Sequence, residues 1–145
     1  MKAFYSGSFD PFTICHLYVA LRALEMFGKL VIAVGVNGDK KGEMSEEDRL
    51  FQISRQFGNM ENVEILSYDN LTAEVARNNG AEVLVRGVRS ALDFEKEKEL
   101  ADINLEVFGM PTVFIPSPPN LSFISSSMVR ELKKYGHDVE KFLAD

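Results

Sequence analysis

Short apolar runs alternate along the chain with stretches in which apolar residues recur every three or four positions. Ala3-Phe4-Tyr5 opens the sequence as a strand, and Ile14, Leu17, Leu21 and Leu24 then share one face of a predicted helix. Leu30-Val31-Ile32-Ala33-Val34-Gly35-Val36 is nearly all apolar between Gly28 and Asn37-Gly38, as expected of a strand buried on both faces. Ser45 starts Ser-Glu-Glu-Asp, a cap followed by acids, and predicts a helix to about Phe57. Val63-Glu64-Ile65-Leu66 reads as a third strand and Leu71 to Asn79 as a short helix ended by Gly80. Val83-Leu84-Val85 is a fourth strand that stops at Arg86. From Ser90 to about Val107 the spacing is helical, with Leu92, Leu100 and Ile103 inward and Glu95-Lys96-Glu97-Lys98-Glu99 largely solvated. After Pro111 comes a fifth strand, Thr112-Val113-Phe114-Ile115, then a Pro-rich loop over 117–121. Ile124-Ser125-Ser126-Ser127 opens a last long helix.

Five strands alternating with helices predict an α/β fold: a Rossmann-like, doubly wound, five-stranded parallel sheet in a single domain spanning 1–145. Such sheets bind ligands beyond the carboxyl ends of their strands, where the strand order reverses. Polar and cationic residues collect at that edge: Ser8 to His16 after the first strand, Lys40 after the second, Arg86 and Arg89 after the fourth, and Ser125 to Ser127 after the fifth. Four loops supplying phosphate-compatible groups mark that edge as the site.

The first loop, Gly7-Ser8-Phe9-Asp10-Pro11-Phe12-Thr13-Ile14-Cys15-His16, carries the most chemistry. A strand passing through a glycine turn into a helix presents backbone N–H groups and a positive dipole end to an anion. Thr13 and His16 are three apart and so lie on one side of the first turn. A purely structural role stands beside this, with Asp10-Pro11 as a turn and Thr13 as an N-cap.

Charge sharpens the picture. Sixteen Lys and Arg against 22 Asp and Glu give a net charge of −6, which argues against binding nucleic acid or an anionic membrane through bulk charge. An anionic ligand must therefore meet locally placed cations. No apolar run approaches a membrane span, and no signal-peptide pattern precedes the first strand, so a cytoplasmic location is expected. One cysteine rules out an internal disulfide, and with two widely separated histidines it leaves no structural zinc site.

With these loops in place the chain resembles the phosphopantetheine adenylyltransferases, within the wider nucleotidyltransferase group marked by a (Thr/His)-x-Gly-His motif. The resemblance covers nearly the whole chain. Its anchors are Gly7-Ser8-Phe9-Asp10-Pro11, Thr13-x-x-His16, Lys40-Lys41, Arg86-Gly87-Val88-Arg89, Asp93-Phe94-Glu95 and Ser122-Phe123-Ile124-Ser125-Ser126-Ser127. It implies adenylyl transfer from ATP to 4′-phosphopantetheine, giving dephospho-coenzyme A and pyrophosphate. It also implies that Ser8, Phe9 and His16 contact ATP, with Gly87, Val88, Arg89, Glu97 and the run Leu121, Ser122, Phe123, Ile124, Ser125, Ser126 and Ser127. Lys40 and Arg86 would hold the acceptor phosphate beside Ser8, and Thr72 would line the pocket for its arm. His16, Lys40 and Arg86 would be the catalytic set. The resemblance further implies Mg²⁺ carried largely on phosphates and water, with no dedicated protein ligand set, and a homohexamer.

The chain departs from the motif at Thr13-Ile14-Cys15-His16, where Cys15 stands in place of glycine and adds bulk beside the expected nucleotide. Ser6, Gly38 and Gly42 stand where prolines are common, which suggests a looser lysine loop. Two other readings remain open at this point. One is nucleotide transfer to a different phosphorylated acceptor, such as nicotinamide mononucleotide or glycerol phosphate. The other is a non-catalytic nucleotide- or coenzyme-A-binding protein disabled at Cys15. Arg86 and Arg89 could instead pair with acids at a subunit contact, and the serines could be only an N-cap with small neighbours. The 11 phenylalanines are most simply core, and His137 an exposed helix-end residue.

Overall fold

A computed structural model describes residues 1–36 and 42–144. Five strands, β1 (Lys2–Gly7), β2 (Lys29–Gly35), β3 (Val63–Tyr68), β4 (Val83–Val88) and β5 (Thr112–Pro116), form one sheet in the order β3-β2-β1-β4-β5. All four pairings are parallel, with Tyr5 opposite Ile32 on one side and Val85 on the other. The expected Rossmann-like, doubly wound α/β sheet is therefore present. Its strand order reverses between β1 and β4.

The apolar runs are explained by period-2 sorting across a two-sided sheet. Ala3 and Tyr5, Leu30, Ile32 and Val34, and Val83 and Val85 enter one core cluster. The intervening Phe4, Val31, Ala33 and Leu84 enter the other. Helices α1 (Ile14–Phe27) and α2 (Glu46–Phe57) cover the first face through Val19, Ala20, Ala23, Ile53 and Phe57. Helix α3 (Thr72–Asn78), through Ala73 and Ala76, covers the second with Phe108 of α4 (Ala91–Phe108). Helix α5 (Ser126–Lys134) follows β5.

Several expectations need correction. The buried stripe of α1 is Cys15, Val19, Ala20 and Ala23; Leu17 and Leu24 only flank the core, and Leu21 is 43% exposed. Small alanines let the helix lie close to the sheet, which turns the leucines to the margin. Helix α4 has no fully buried residue, and Leu92, Leu100 and Ile103 are exposed rather than inward. Its half-buried positions are Asp93, Glu97, Ala101, Asn104 and Phe108, so a largely polar stripe faces the protein. Glu97 is accordingly not part of a solvated run. The phenylalanines divide: Phe4, Phe9, Phe12 and Phe57 are core, whereas Phe51 and Phe123 are exposed.

Strand β4 continues past Val85, with Arg86, Gly87 and Val88 paired to Phe114, Ile115 and Pro116. The last helix is shorter than expected, nine residues. After it the chain makes a 3₁₀ turn at Glu140–Phe142, and Leu143 bridges back to Thr13.

Candidate active site

The β1–α1 loop begins with a forced glycine. A Cβ on Gly7 would stand 2.7 Å from the Phe9 ring. Phe9 itself has φ 47°, a left-handed backbone that a bulky residue adopts only when its surroundings hold it there, at about 1–3 kcal/mol. Its ring packs edge-on against Tyr5, Phe12 and His16, each at 5.1 Å between centroids. Side chains from α2 hold the backbone. Arg49 donates to the Ser8 carbonyl at 3.1 Å, and the Gln52 amide pairs with both backbone groups of Phe12 at 2.9 and 3.0 Å.

Thr13 is the N-cap of α1, as the structural reading allowed, and it also sets the state of His16. The His16 N–H donates to Thr13 Oγ1 at 3.3 Å, while the Thr13 N–H donates to His16 Nδ1 at 2.9 Å. A backbone N–H can only donate, so Nδ1 is the acceptor and the ring proton sits on Nε2. Burial, reinforced by the positive charges of Arg86 and Arg89, pushes the imidazole pKa down to about 3. His16 is thus a neutral donor.

Across the strand-order reversal, Arg86 presents a fixed fork. Its Nε and Nη2 each donate to a Glu97 oxygen at 2.8 Å, and Nη1 donates to the Ser6 carbonyl. Burial works against the charge, but the hydrogen bond and charge of Glu97 outweigh it and keep the guanidinium protonated. Arg86 therefore pairs with an acid of its own chain. Arg89 is exposed; its backbone N–H donates to Asp93 at 3.1 Å.

Helix α5 completes the site. Ser125 caps it by accepting from the Met128 N–H at 3.1 Å, Ser126 Oγ donates to the Pro11 carbonyl at 2.7 Å, and Ser127 Oγ accepts from Arg130 at 3.2 Å. The serines are both cap and tether. The backbone N–H groups of Ser126 and Ser127 have no partner among the described residues, as at any open helix N-terminus.

These elements enclose a cavity of about 240 Å³. It is lined by Ser8, Phe9, His16, Arg86, Gly87, Arg89, Glu97, Ile124, Ser125, Ser126 and Ser127, eleven of the residues expected from sequence. Gly87 is a close approach, since a Cβ there would meet Val19 of α1 at 2.9 Å. Val88, Leu121, Ser122 and Phe123 do not line the cavity. The last three form the turn before α5, where the Ser122 N–H and Ile124 N–H donate to the carbonyls of Pro118 and Leu121. Thr72 lies apart, its hydroxyl 2.9 Å from that of Tyr68 at the end of β3. Lys40 lies outside the described residues. His137 is exposed beyond the end of α5.

Sequence reasoning missed Tyr5, Asp93, Ser117 and Arg130 in the cavity wall. It also missed the bracing by Arg49 and Gln52. These two sit on the buried stripe of α2 with Ile53 and Phe57, and a polar residue at a core position is a signal that periodicity offers. Cys15 is 5% exposed, with Sγ 3.0 Å from Ser117 Oγ, so the thiol joins the start of α1 to the end of β5 inside the cavity wall. Gly42 is not simply loose. A Cβ there would stand 2.5 Å from Asp10 Oδ2, so close approach requires the glycine.

Among the described residues no three His, Cys, Asp or Glu side chains group as a metal site. Of the two acids of the cavity, Glu97 is held through both oxygens by the Arg86 guanidinium, and Asp93 accepts the Arg89 backbone N–H through one oxygen. The remaining polar groups are neutral or cationic donors. Such a site can hold and align phosphates, and can stabilise charge that builds on a phosphorus centre or its leaving group.

A family model described as cytidylyltransferase-like matches residues 4–132. The phosphopantetheine adenylyltransferase of Porphyromonas gingivalis is 43% identical over 143 residues, covering 99% of this chain and 94% of that protein. The enzyme of the same name from Oenococcus oeni is 37% identical over 145 residues, covering 100% and 92%. Among solved structures, a bifunctional NMN adenylyltransferase/ADP ribose pyrophosphatase from Francisella tularensis aligns with a TM-score of 0.77 at 14% identity. It matches 99% of this chain, which spans 45% of that one, and the likeness concerns the fold alone. No helix among the described residues is long and apolar enough to cross a membrane. The β1–α1 loop and α5 N-terminus meet at one cavity, and identity to these relatives runs the length of the chain. The chain belongs to the phosphopantetheine adenylyltransferase family.

Proposed function

We propose that this chain transfers the adenylyl group of ATP to 4′-phosphopantetheine, forming dephospho-coenzyme A and releasing pyrophosphate. The observation that carries this reading is the convergence on one cavity of a neutral Nε2–H donor, from His16, and the open N-terminus of α5. The acceptor phosphate is itself the nucleophile, so no covalent enzyme intermediate is required. An oxygen of that phosphate attacks the α-phosphorus of ATP, the bond to the β-phosphate breaks, and the electron pair leaves on pyrophosphate. Two polyanions must be brought together against their repulsion, and alignment supplies much of the rate.

The chain's own groups divide that work. His16 donates through Nε2 to a phosphate oxygen as charge builds there, and its neutrality means no proton must be gained or lost. Arg86, with Lys40, holds the acceptor phosphate; the Glu97 pairing fixes the Arg86 fork and leaves N–H groups to spare. The Ser126 and Ser127 N–H groups receive the outgoing pyrophosphate. Mg²⁺ fits as an ion carried by the triphosphate, because among the described residues no three acidic or metal-ligating side chains group to hold it, and it would supply charge neutralisation.

A homohexamer and a cytoplasmic location belong to the same proposal. Association is supported by the outward side of α4, where Leu92, Leu100, Ile103 and Val107 are each more than half exposed. The reaction is tested by pyrophosphate release from ATP with 4′-phosphopantetheine, nicotinamide mononucleotide and glycerol phosphate as alternative acceptors. Only the first should support turnover. Ligand binding by calorimetry without pyrophosphate release would instead identify a binding protein.

A further inference from the structure

Behind the cavity, one buried residue joins three segments that the site depends on. Asp10 is 5% exposed. Its carboxylate reaches the segment after β2, where Oδ2 accepts from the Glu43 N–H at 2.9 Å and Oδ1 from the Met44 N–H at 2.8 Å. Its backbone carbonyl accepts from Arg130 Nη1 at 2.6 Å, and Arg130 Nη2 donates to Ser127 at the start of α5. The residue itself follows Phe9 in the β1–α1 loop. Gly42 is shaped to this contact, because any Cβ would fall 2.5 Å from Asp10 Oδ2 and 3.3 Å from Arg49 Nη2.

We propose that Asp10 is a positioning residue for the acceptor: its carboxylate anchors residues 42–44, which follow Lys40 in the sequence, to the β1–α1 loop that leads into His16. The inference rests on the adenylyl-transfer reading. Lys40 precedes Gly42 by two residues in the sequence. Two charge-assisted bonds to consecutive N–H groups define an orientation as well as a position. The ATP side is held by other contacts: Thr13 to His16, Arg49 to Ser8, Ser126 to Pro11. Losing the carboxylate should therefore penalise the acceptor selectively.

Asp10→Asn keeps the volume and the carbonyl bond to Arg130, but turns one acceptor into an amide donor facing an N–H. The expected result is a KM for 4′-phosphopantetheine raised about fivefold or more, with ATP affinity by calorimetry changed less than about twofold. Gly42→Ala disturbs the same contact from the other side and should give the same split. The two changes combined should be clearly less than additive, since one anchor cannot be lost twice. Gly42→Ala also carries the test if Asp10→Asn fails to fold. Equal losses for both substrates, a lower melting temperature with both constants unmoved, or full additivity would each overturn the role given to Asp10. A wild type that releases no pyrophosphate from ATP and 4′-phosphopantetheine overturns the functional reading itself. An active wild type with indifferent variants overturns only the anchor.

Discussion

The Thr13 N–H points at His16 Nδ1 across 2.9 Å, and this contact fixes which nitrogen of the imidazole carries the proton. The same pair forms the cap of α1, with the His16 N–H returning to Thr13 Oγ1. Structural cap and catalytic orientation are thus one arrangement. The helix cannot start correctly without aiming Nε2–H, and this explains why a threonine three residues before the histidine serves both ends.

If that Nε2–H acts only as charge develops, His16→Ala should lower kcat and kcat/KM together by roughly 10²-fold or more. With its pKa near 3, the imidazole stays neutral throughout the working range. The wild-type rate should therefore show no limb near pH 6.5 arising from His16. A variant within a factor of about three of wild type would remove His16 from the mechanism.

The same shift has a consequence for stability. The unfolded imidazole takes up a proton near pH 6.5, while the native one resists until about pH 3. Its contribution is fully present above pH 6.5 and is lost as pH falls through that window, with a slope of at most ~1.4 kcal/mol per pH unit. Denaturant melts of His16→Gln between pH 4 and 6 should show a flatter pH dependence than wild type. Parallel curves would mean that the native ring titrates normally.

Arg86 should act on the acceptor and not on ATP. Charge-assisted contacts to a phosphate contribute about 1.5–3 kcal/mol each, so Arg86→Ala should weaken use of 4′-phosphopantetheine by about 10- to 100-fold. It also strands the Glu97 carboxylate at the cavity, so a lower melting temperature is expected. Arg86→Lys should recover little, because one ammonium cannot replace a fork that spans both Glu97 oxygens. Titrating ATP into Arg86→Ala decides the matter; a matching loss of ATP affinity would mean the two substrates had been exchanged.

The ladder of strands was legible because Leu30 to Val36 and Val83 to Val85 are buried on both faces and leave an unbroken apolar record. Residues at the carboxyl edge were legible for a related reason: serines, histidine and arginines follow directly on those runs. Helix α4 misled, because an amphipathic pattern tells which residues share a face but not which face meets the sheet. Here Asp93 turns inward to accept the Arg89 backbone N–H and Glu97 to pair with the Arg86 guanidinium, and Leu100 and Ile103 turn out. Arg49, Gln52 and Asp10 were hidden because their partners are backbone groups 33 to 41 residues away, and no local spacing encodes such a pairing.

That outward side of α4 makes its own prediction. Leu100→Glu with Ile103→Glu places two charges among exposed apolar residues that make no core contact. If copies associate there, wild-type protein should sediment as an oligomer and the double variant as a smaller species with its fold intact by circular dichroism. A wild type that sediments as a monomer removes the interface.

Cys15 is where the chain departs from the motif it otherwise follows, and its sulfur is not idle. Sγ lies 3.0 Å from Ser117 Oγ with both residues in the cavity wall, so two effects oppose each other when the side chain is removed. Space opens beside the expected nucleotide, where overpacking typically costs about 1–3 kcal/mol. Against this, glycine in the first turn of α1 costs roughly 0.5–1 kcal/mol of stability, and the contact to Ser117 is lost. Crowding should dominate binding while backbone freedom dominates folding. Cys15→Gly is therefore expected to bind ATP more tightly and to melt a few degrees lower. Cys15→Ala separates the two effects, because it clears the sulfur without loosening the helix; it should tighten ATP binding with a smaller loss in melting temperature. Ser117→Ala leaves the sulfur in place and should change ATP affinity little. Calorimetric titration of the three variants settles the point. Unchanged ATP affinity in both Cys15 variants would show that the cavity wall already accommodates the thiol.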